Sequence, residues 1–206
     1  MSRGPEAAFA NISETADSRQ TSVSVKSRLP MSILFRRLNS PSDFRPIVLS
    51  EHHRCTGSHV RAGNICRSPI AEAVFRQVAK QRGVLAEWNI DSAGTDGEHV
   101  GSNPDRRAVQ CMKDHNVEMD HRARQVTLDD FRDFQYIFAM DNANMNDLTD
   151  MAPESSKAKI ELLGKYDPEG QATIHDPYND SGSQDFEEVY AQCLRCCNAF
   201  FDQLGG

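Results

Sequence analysis

The segment Gly63-Asn64-Ile65-Cys66-Arg67-Ser68-Pro69 contains residue types that can bind an anion. Gly63 permits close backbone approach, and the planar guanidinium of Arg67 can bind two oxygens of a phosphate. Ser68 before Pro69 predicts a helix start, with the hydroxyl as N-cap and proline at the first helical position. The N–H groups and the positive dipole end of that helix then favour an anion in the loop. By composition alone, a capped helix with a surface arginine is an equally good interpretation.

The elements around this loop predict an α/β fold. Strands alternate with helices from Gly63 onward, which predicts a parallel sheet with crossover helices and a ligand site at the carboxyl ends of the strands. Helices are predicted from Ser68 to Arg82-Gly83, after Asn103-Pro104-Asp105, from Thr127 with its Thr-x-x-Asp cap, and over the apolar stripe from Phe186 to Leu204. The predicted strands are Trp88–Ser92, Tyr136–Met140 and Lys159–Leu163, preceded by the short apolar runs Ser32–Phe35 and Pro46–Leu49.

Charge and composition divide the chain of 206 residues. The whole chain carries a net charge of −7, but residues 1–62 are net positive and residues 63–206 strongly negative. The acidic balance argues against a nucleic-acid partner, and no apolar run is long enough to span a membrane. Residues 1–30 show no periodicity and are predicted to form a disordered tail. Six cysteines without a scaffold spacing favour a cytoplasmic protein with reduced thiols.

Gly63 to Phe75, GNICRSPIAEAVF, closely resembles the phosphate-binding loop and first helix of the low-molecular-weight protein tyrosine phosphatases. The resemblance covers about residues 63–204 and implies a three-layer fold, in which a four-stranded parallel sheet has helices on both faces. It also implies protein-tyrosine-phosphatase and acid phosphatase activity through a cysteinyl-phosphate, without metal or cofactor, on phosphotyrosine proteins or small aryl phosphates. Further motifs that carry it are Asp91-Ser92-Ala93, Cys111-Met112-Lys113, Lys159 to Gly164, Tyr166-Asp167-Pro168, Asp176-Pro177-Tyr178 and Cys193-Leu194-Arg195-Cys196-Cys197.

The resemblance also implies roles for individual residues. Arg67 corresponds to the arginine that binds the phosphoryl oxygens, and Asp176 to the general acid. Tyr178 corresponds to the aromatic residue beside the substrate ring, whereas Asn179 stands where the family often has a second tyrosine. The phosphate-binding set is Gly63, Asn64, Ile65, Cys66, Arg67 and Ser68; Asn64 and Ser92 are expected to brace the loop, Ser68 to steady the thiolate, and His115 and Glu72 are candidates for the same network. Asp141 either orients Arg67 or caps the helix that begins at Asn142.

One departure from the family pattern concerns the nucleophile. The family loop reads Cys-x5-Arg, but the residue six positions before Arg67 is Arg61. A guanidinium stays protonated and cannot act as a nucleophile. Cys55 lies too far upstream for the same backbone path, and Cys66 resembles the second, protective cysteine of the family loop. Residues 31–62 are therefore interpreted as an atypical segment, from a variant transcript or gene model, that replaces the end of the first strand and the nucleophile ahead of a phosphatase domain at 63–206.

Two other functions remain open. Without the thiol, the loop can serve as a catalytically inactive module that binds phosphate or phosphotyrosine, with Arg61 as a further cation. Alternatively, Cys193, Cys196 and Cys197 form a metal site or redox pair, although two of them lie on the apolar stripe of the last helix. Buried cysteines that act as small hydrophobic residues are the favoured interpretation of this group.

Overall fold

The computed structural model describes residues 45–51, 63–178 and 182–205. The predictions for residues 1–30, for the run Ser32–Phe35, and for Cys55, Arg61 and Asn179 lie outside these ranges. Within them, four parallel strands form one sheet in the order β2-β1-β3-β4. The strands are β1 (Arg45–Glu51), β2 (Trp88–Gly94), β3 (Tyr136–Ala139) and β4 (Lys159–Leu162). The predicted parallel α/β sheet is therefore confirmed.

The apolar run Pro46–Leu49 forms the centre of this sheet. It lies in β1, which pairs with β2 on one side and with β3 on the other, so that Ile47 is opposite both Ile90 and Tyr136. Ile47 and Val48 are fully buried, as a central strand with both faces covered requires. Of the two short apolar runs that precede the predicted strands, this one therefore forms a strand of the sheet.

Five α-helices cover the two faces of the sheet in the described ranges. They are α1 (Arg67–Gln81), α2 (Arg106–Asp114), α3 (Leu128–Asp133), α4 (Asn142–Met151) and α5 (Gln184–Gly205), with short 3-10 turns at Leu85–Glu87 and Leu163–Tyr166. Ile47 and Leu49 pack with α1, α2 and α5, whereas Val48 packs with α3 and α4 on the opposite face. No helix in these ranges has the length and apolar character needed to cross a membrane.

Most predicted helix boundaries agree with the structure. Helix α1 ends at Gln81 with Arg82 as its C-cap, and Gly83 follows in the left-handed region at φ 73°. The Asp105 side chain caps α2 by accepting a hydrogen bond of 2.7 Å from the Arg107 N–H. Thr127 and Asp130 form the capping box expected at the start of α3. Local capping chemistry therefore sets these boundaries.

The start of α1 requires a correction. Cys66 is the N-cap and the helix begins at Arg67, so Ser68 is not the cap and Pro69 is not the first helical residue. The physical reason is that Ser68 Oγ accepts a hydrogen bond from Asn64 within the loop, which places the hydroxyl away from the capping role. Two strands are also one residue shorter than predicted, because β3 ends at Ala139 and Leu163 begins a 3-10 turn.

Candidate active site

The loop Gly63–Cys66 lies at the carboxyl edge of the sheet and leads into α1. A side chain at Gly63 would place its Cβ 2.6 Å from the Asp96 carbonyl oxygen, so only glycine fits there. Asn64 adopts a left-handed conformation, with φ 61°, which asparagine tolerates better than most residues. The Ile65 carbonyl accepts a hydrogen bond of 2.8 Å from the Asp105 N–H at the start of α2. These contacts give the loop one tight conformation.

A buried network of polar side chains braces the loop from below. Asn64 Nδ2 donates hydrogen bonds of 2.9 Å to both Ser68 Oγ and Ser92 Oγ. Ser92 Oγ in turn donates to Glu72 Oε2 at 2.7 Å. The His121 ring joins both ends of the network, with Nδ1 at 3.1 Å from Glu72 Oε2 and Nε2 at 3.0 Å from the Asn64 carbonyl. We call these five residues the loop network.

The loop network contains a carboxylate held in its charged form. Burial alone would raise the pKa of Glu72, but hydrogen bonds from His121 and Ser92 and the charges of His121 and Arg76 outweigh burial and lower that pKa. Arg76 Nε lies 3.1 Å from Glu72 Oε1. Glu72 is only 5% exposed, so its charge depends on these partners rather than on water. The network therefore places one negative charge beneath the loop, balanced by neighbouring donors.

Arg67 is buried with its guanidinium fixed at the carboxyl edge of the sheet. The residue is 1% exposed, and its Nη1 donates to Asp141 Oδ2 at 2.7 Å and to the Ile174 carbonyl at 3.0 Å. Asp141 follows β3, and its other oxygen accepts a hydrogen bond from the Asn144 N–H at 2.8 Å. The carboxylate thus both caps α4 and orients Arg67, so the two interpretations of Asp141 are compatible.

Asp176 approaches the same guanidinium from the loop after β4. Its Oδ2 lies 3.7 Å from Arg67 Nη2, and its side chain is 28% exposed. Asp176 Oδ1 accepts from the Tyr178 N–H at 3.2 Å, and the Tyr178 carbonyl accepts from Arg107 at 3.1 Å. The Ile174 N–H also bonds to the Met140 carbonyl at the end of β3. The loop is thus anchored at both ends, and one carboxyl beside Arg67 remains partly open to solvent.

The family model described as "Low molecular weight phosphotyrosine protein phosphatase" matches residues 58–206. The chain belongs to this family. Relatives that carry the family name include one from Homo sapiens, 51% identical, and one from Rattus norvegicus, 53% identical. Each match spans 143 residues, which is 68% of this chain and 90% of the relative. Membership places the chain among the protein phosphatases, which are hydrolases, in a family named for phosphotyrosine proteins.

Solved structures of similar proteins support the same assignment. The crystal structure of Primo-1 aligns with a TM-score of 0.71 at 36% identity, over 79% of this chain and 99% of that one. A protein tyrosine phosphatase from Entamoeba histolytica aligns with a TM-score of 0.70 at 32% identity, over 78% of this chain and 96% of that one. A Drosophila arginine phosphatase aligns at 0.69 and 35% identity, over 79% of this chain and 99% of that one. The family fold is therefore shared across these proteins.

The structure brings together most of the residues that the phosphatase resemblance singled out. Arg67, Asp141 and Asp176 meet at one point, and Asn64, Ser68, Ser92 and Glu72 form the network beneath the loop. Cys66 is fully buried at the N-cap of α1. The catalytic and phosphate-binding roles of these residues stay predictions, because the comparisons establish the family without assigning roles to residues.

His115 requires a correction. It does not join the loop network, because it lies at the far end of α2, where its Nε2 is 2.6 Å from Glu187 Oε2 and its ring stacks on Tyr190. The histidine of the network is His121, which the sequence patterns did not indicate. Its segment between α2 and α3 runs beside the end of β2, where Gly94 N–H bonds to the Arg124 carbonyl. No periodicity marks such a segment, so only its approach to β2 reveals the position of His121.

The cysteines of α5 are buried, as predicted. Cys193, Cys196 and Cys197 are all inaccessible to solvent. Burial raises the pKa of Cys196 to about 12 and raises that of Cys197 as well, which keeps both thiols protonated and unreactive. Their interpretation as small apolar core residues is therefore confirmed by their burial.

Proposed function

We propose that this chain recognises phosphate monoesters of the phosphotyrosine class at the loop Gly63–Ser68, in the family's phosphatase site. The observation that carries the proposal is the burial of Arg67, with its guanidinium held by Asp141 at 2.7 Å beside the loop. A buried arginine oriented by a carboxylate and lying next to a helix N-terminus is suited to a doubly charged tetrahedral anion. Small aryl phosphates carry the same doubly charged phosphate group. A site that binds this group can therefore also accept them, which is the basis of acid phosphatase activity.

Binding in this proposal uses main-chain and side-chain donors together. The first N–H groups of α1 lie at the loop, where the helix dipole favours negative charge. The loop network holds Asn64 and Ser68 in place from the opposite side, so the loop conformation does not depend on the ligand. Because the donors are already positioned, little ordering free energy is lost when the anion binds.

The leaving group is the second part of the proposal. Asp176, 3.7 Å from Arg67 and partly open to solvent, is assigned as the acid that protonates the leaving phenolate. Tyr178, two residues further on, is assigned to flank the substrate ring. The hydrogen bond from the Tyr178 N–H to Asp176 connects these two functions in one short segment.

The family reaction also needs a thiolate that attacks phosphorus. In this chain the residue six positions before Arg67 is Arg61, whose guanidinium offers no nucleophilic lone pair. This observation favours a second candidate function, binding of the phosphate monoester without turnover. We infer that residues 31–62 replace the nucleophile, and that this segment follows from a variant transcript or gene model. We also place the protein in the cytoplasm, which agrees with the unpaired thiols of Cys111, Cys196 and Cys197.

An aryl phosphate assay on the full chain separates the two candidates. Turnover by the natural sequence that Asp176→Asn abolishes would support hydrolysis by the family route. Binding of inorganic phosphate without turnover would establish the binding module. Arg61→Cys is then expected to raise turnover by about 10³-fold or more, because it supplies the missing thiol.

The control for this assay is Arg67→Lys, which keeps one positive charge but loses the planar pair of donors. We expect it to weaken inorganic phosphate binding by about 100-fold, equivalent to about 3 kcal/mol. Isothermal titration with phosphate measures this change. Phosphate affinity equal to that of the natural sequence would contradict both candidate functions together, because each depends on Arg67.

A further inference from the structure

Cys111, His115 and Glu187 form a compact cluster between α2 and α5, which the phosphatase site does not use. Cys111 and His115 lie one helical turn apart at the end of α2, and Glu187 lies in the first turn of α5. One potential ligand atom from each residue lies within 4.8 Å of the other two. His115 Nε2 and Glu187 Oε2 are already 2.6 Å apart. Two helices thus bring sulfur, nitrogen and oxygen donors to one point.

The donor set of this cluster is typical of zinc. Thiolate, imidazole and carboxylate together suit a borderline-soft divalent ion, whereas Mg²⁺ and Ca²⁺ prefer oxygen ligands alone. Tetrahedral zinc with bonds of about 2.0–2.3 Å places its ligand atoms roughly 3.3–3.7 Å apart. Separations of up to 4.8 Å must close by about 1 Å, and the 2.6 Å between His115 Nε2 and Glu187 Oε2 must open by about 0.7 Å to reach that geometry. The half-exposed His115 and Glu187 side chains allow both changes.

The surroundings of the cluster hold its ligands in place. The His115 ring stacks on Tyr190, with ring centroids 3.8 Å apart, which fixes the imidazole plane. Cys111 is 4% exposed, and its Sγ–H donates to the Phe186 carbonyl at 3.5 Å. Burial, together with Glu187, raises the pKa of Cys111 to about 12, so a metal must displace the thiol proton. His115 and Glu187 face solvent on the other side, which gives an entry path and a position for water.

We propose that Cys111, His115 and Glu187 bind one zinc ion, with a water molecule as the fourth ligand. Coordination breaks the S–H bond of Cys111 and releases that proton to solvent. His115 binds as the neutral ring, with the Nε2 proton that faced Glu187 exchanged through solvent to Nδ1, and Zn–S, Zn–N and Zn–O bonds form. The ion joins the end of α2 to the start of α5. The proposed zinc site is separate from the loop that binds phosphate in the proposed function. The competing interpretation is a set of hydrogen bonds without metal affinity.

Cobalt(II) is the probe that distinguishes these interpretations in the full chain. Cobalt bound to a thiolate gives a ligand-to-metal charge-transfer absorption in the near ultraviolet, and its visible bands report tetrahedral geometry. We expect one cobalt per chain with this absorption, and we expect zinc to displace it. Absence of the charge-transfer band at saturating cobalt would overturn the proposal.

Matched variants assign the ligands. Cys111→Ser should remove the charge-transfer band, whereas Cys196→Ser, at another buried thiol of the neighbouring helix, should retain it. His115→Gln and Glu187→Gln, at half-exposed side chains that tolerate change, should each weaken cobalt binding by about 10-fold or more. Should Cys111→Ser not fold, these two variants still decide the question. A band that survives with full affinity in both of them would contradict the site.

Discussion

Two regions that share helix α1 are stabilised by different interactions, one by hydrogen bonds and the other by the packing of aromatic rings. Near the start of α1, Ser68 and Glu72 belong to the loop network, in which each polar atom depends on a particular partner. One turn later, Phe75 belongs to an aromatic cluster. Its other rings come from β2, β3, the 3-10 turn Leu163–Tyr166 and α5, which pack on the same face of the sheet as α1. The members of the aromatic cluster are Phe75, Trp88, Tyr136, Phe138, Tyr166, Phe200 and Phe201.

The difference between the two regions separates stability from function. Burial of rings is non-directional, so the aromatic cluster stabilises the fold wherever its rings pack well. The loop network is directional, and a single lost donor leaves other buried polar atoms without a hydrogen bond. We therefore expect changes in the aromatic cluster to affect mainly unfolding, and changes in the loop network to affect phosphate binding as well.

The largest expected effect is on stability, from Phe200→Ala. Phe200 is 1% exposed, and its ring centre lies within 6.0 Å of all six other rings of the cluster. Removal of a ring from such a core costs about 3–5 kcal/mol of the free energy of unfolding. Urea denaturation measures this loss. The affinity of the folded variant for inorganic phosphate should remain within about twofold of the natural chain, because no loop contact is lost.

Leu204→Ala on the same helix is the matched control. Leu204 is 36% exposed, so its truncation should cost well under half as much as that of Phe200. A large drop in phosphate affinity for Phe200→Ala, measured below its unfolding transition, would show that the two regions are coupled rather than separate.

The next effect, at Asn64, concerns stability and binding together. Asn64→Gly keeps the left-handed backbone accessible but removes the donors to Ser68 and Ser92 and the acceptor for the Arg124 N–H. We expect a loss of about 2 kcal/mol in the free energy of unfolding and at least a tenfold loss in phosphate affinity. Chemical denaturation and phosphate titration measure the two quantities.

Asn64→Ala separates the backbone contribution from the hydrogen bonds. Alanine loses the same side-chain contacts and also has to adopt φ near 61°, which costs about a further 1 kcal/mol. An alanine variant that is as stable as the glycine variant would show that the left-handed conformation is not retained. Phosphate affinity that is unchanged in both variants would mean that the loop network does not position the loop.

The two regions also differ in how far the sequence predicts them. The apolar stripe of α5 follows from helical periodicity, because burial imposes a regular spacing on one face of a helix. The strands Tyr136–Met140 and Lys159–Leu163 follow instead from nearly continuous apolar runs, which are typical of buried parallel strands. The capping box at Thr127 follows from local chemistry. The same local chemistry predicted a helix start at Ser68, and this prediction was wrong. The Ser68 hydroxyl, which would otherwise cap the helix, accepts a hydrogen bond from Asn64 in the loop. Loop contacts therefore override the local rule where the site is built.

The site itself was predictable only in part. The resemblance of residues 63–75 indicated Arg67, Asn64 and Ser68, but a spacing pattern cannot tell which of His115 and His121 reaches Glu72. That choice depends on the irregular segment between α2 and α3, whose course is set by contacts with β2 rather than by its own sequence pattern. Tertiary contacts thus determine which polar side chains meet in the loop network. Local sequence patterns determine which residues are buried in the core.

The smallest expected effect is a pH dependence that belongs to the loop network. The partners of Glu72 lower its pKa, so the charged form stabilises the fold at neutral pH. This contribution is lost as pH falls below 4.5, the ordinary pKa of a glutamate, and through the folded pKa. Glu72→Gln should cost about 1 kcal/mol at pH 7, where charge-assisted hydrogen bonds become neutral ones. The difference in free energy of unfolding between the two proteins should shrink as pH falls below 4.5 and through the folded pKa of Glu72.

The comparison with Glu154→Gln makes this last prediction specific. Glu154 is exposed, and its substitution should change stability little at either pH. Other carboxylates of the chain also have a lowered pKa, so the slope of stability with pH in either protein alone does not identify Glu72. Only the difference in free energy of unfolding between the natural chain and Glu72→Gln isolates the contribution of Glu72. A difference that stays constant from pH 7 to pH 3 would mean that the Glu72 charge contributes nothing, and that shape and hydrogen bonding alone hold the loop.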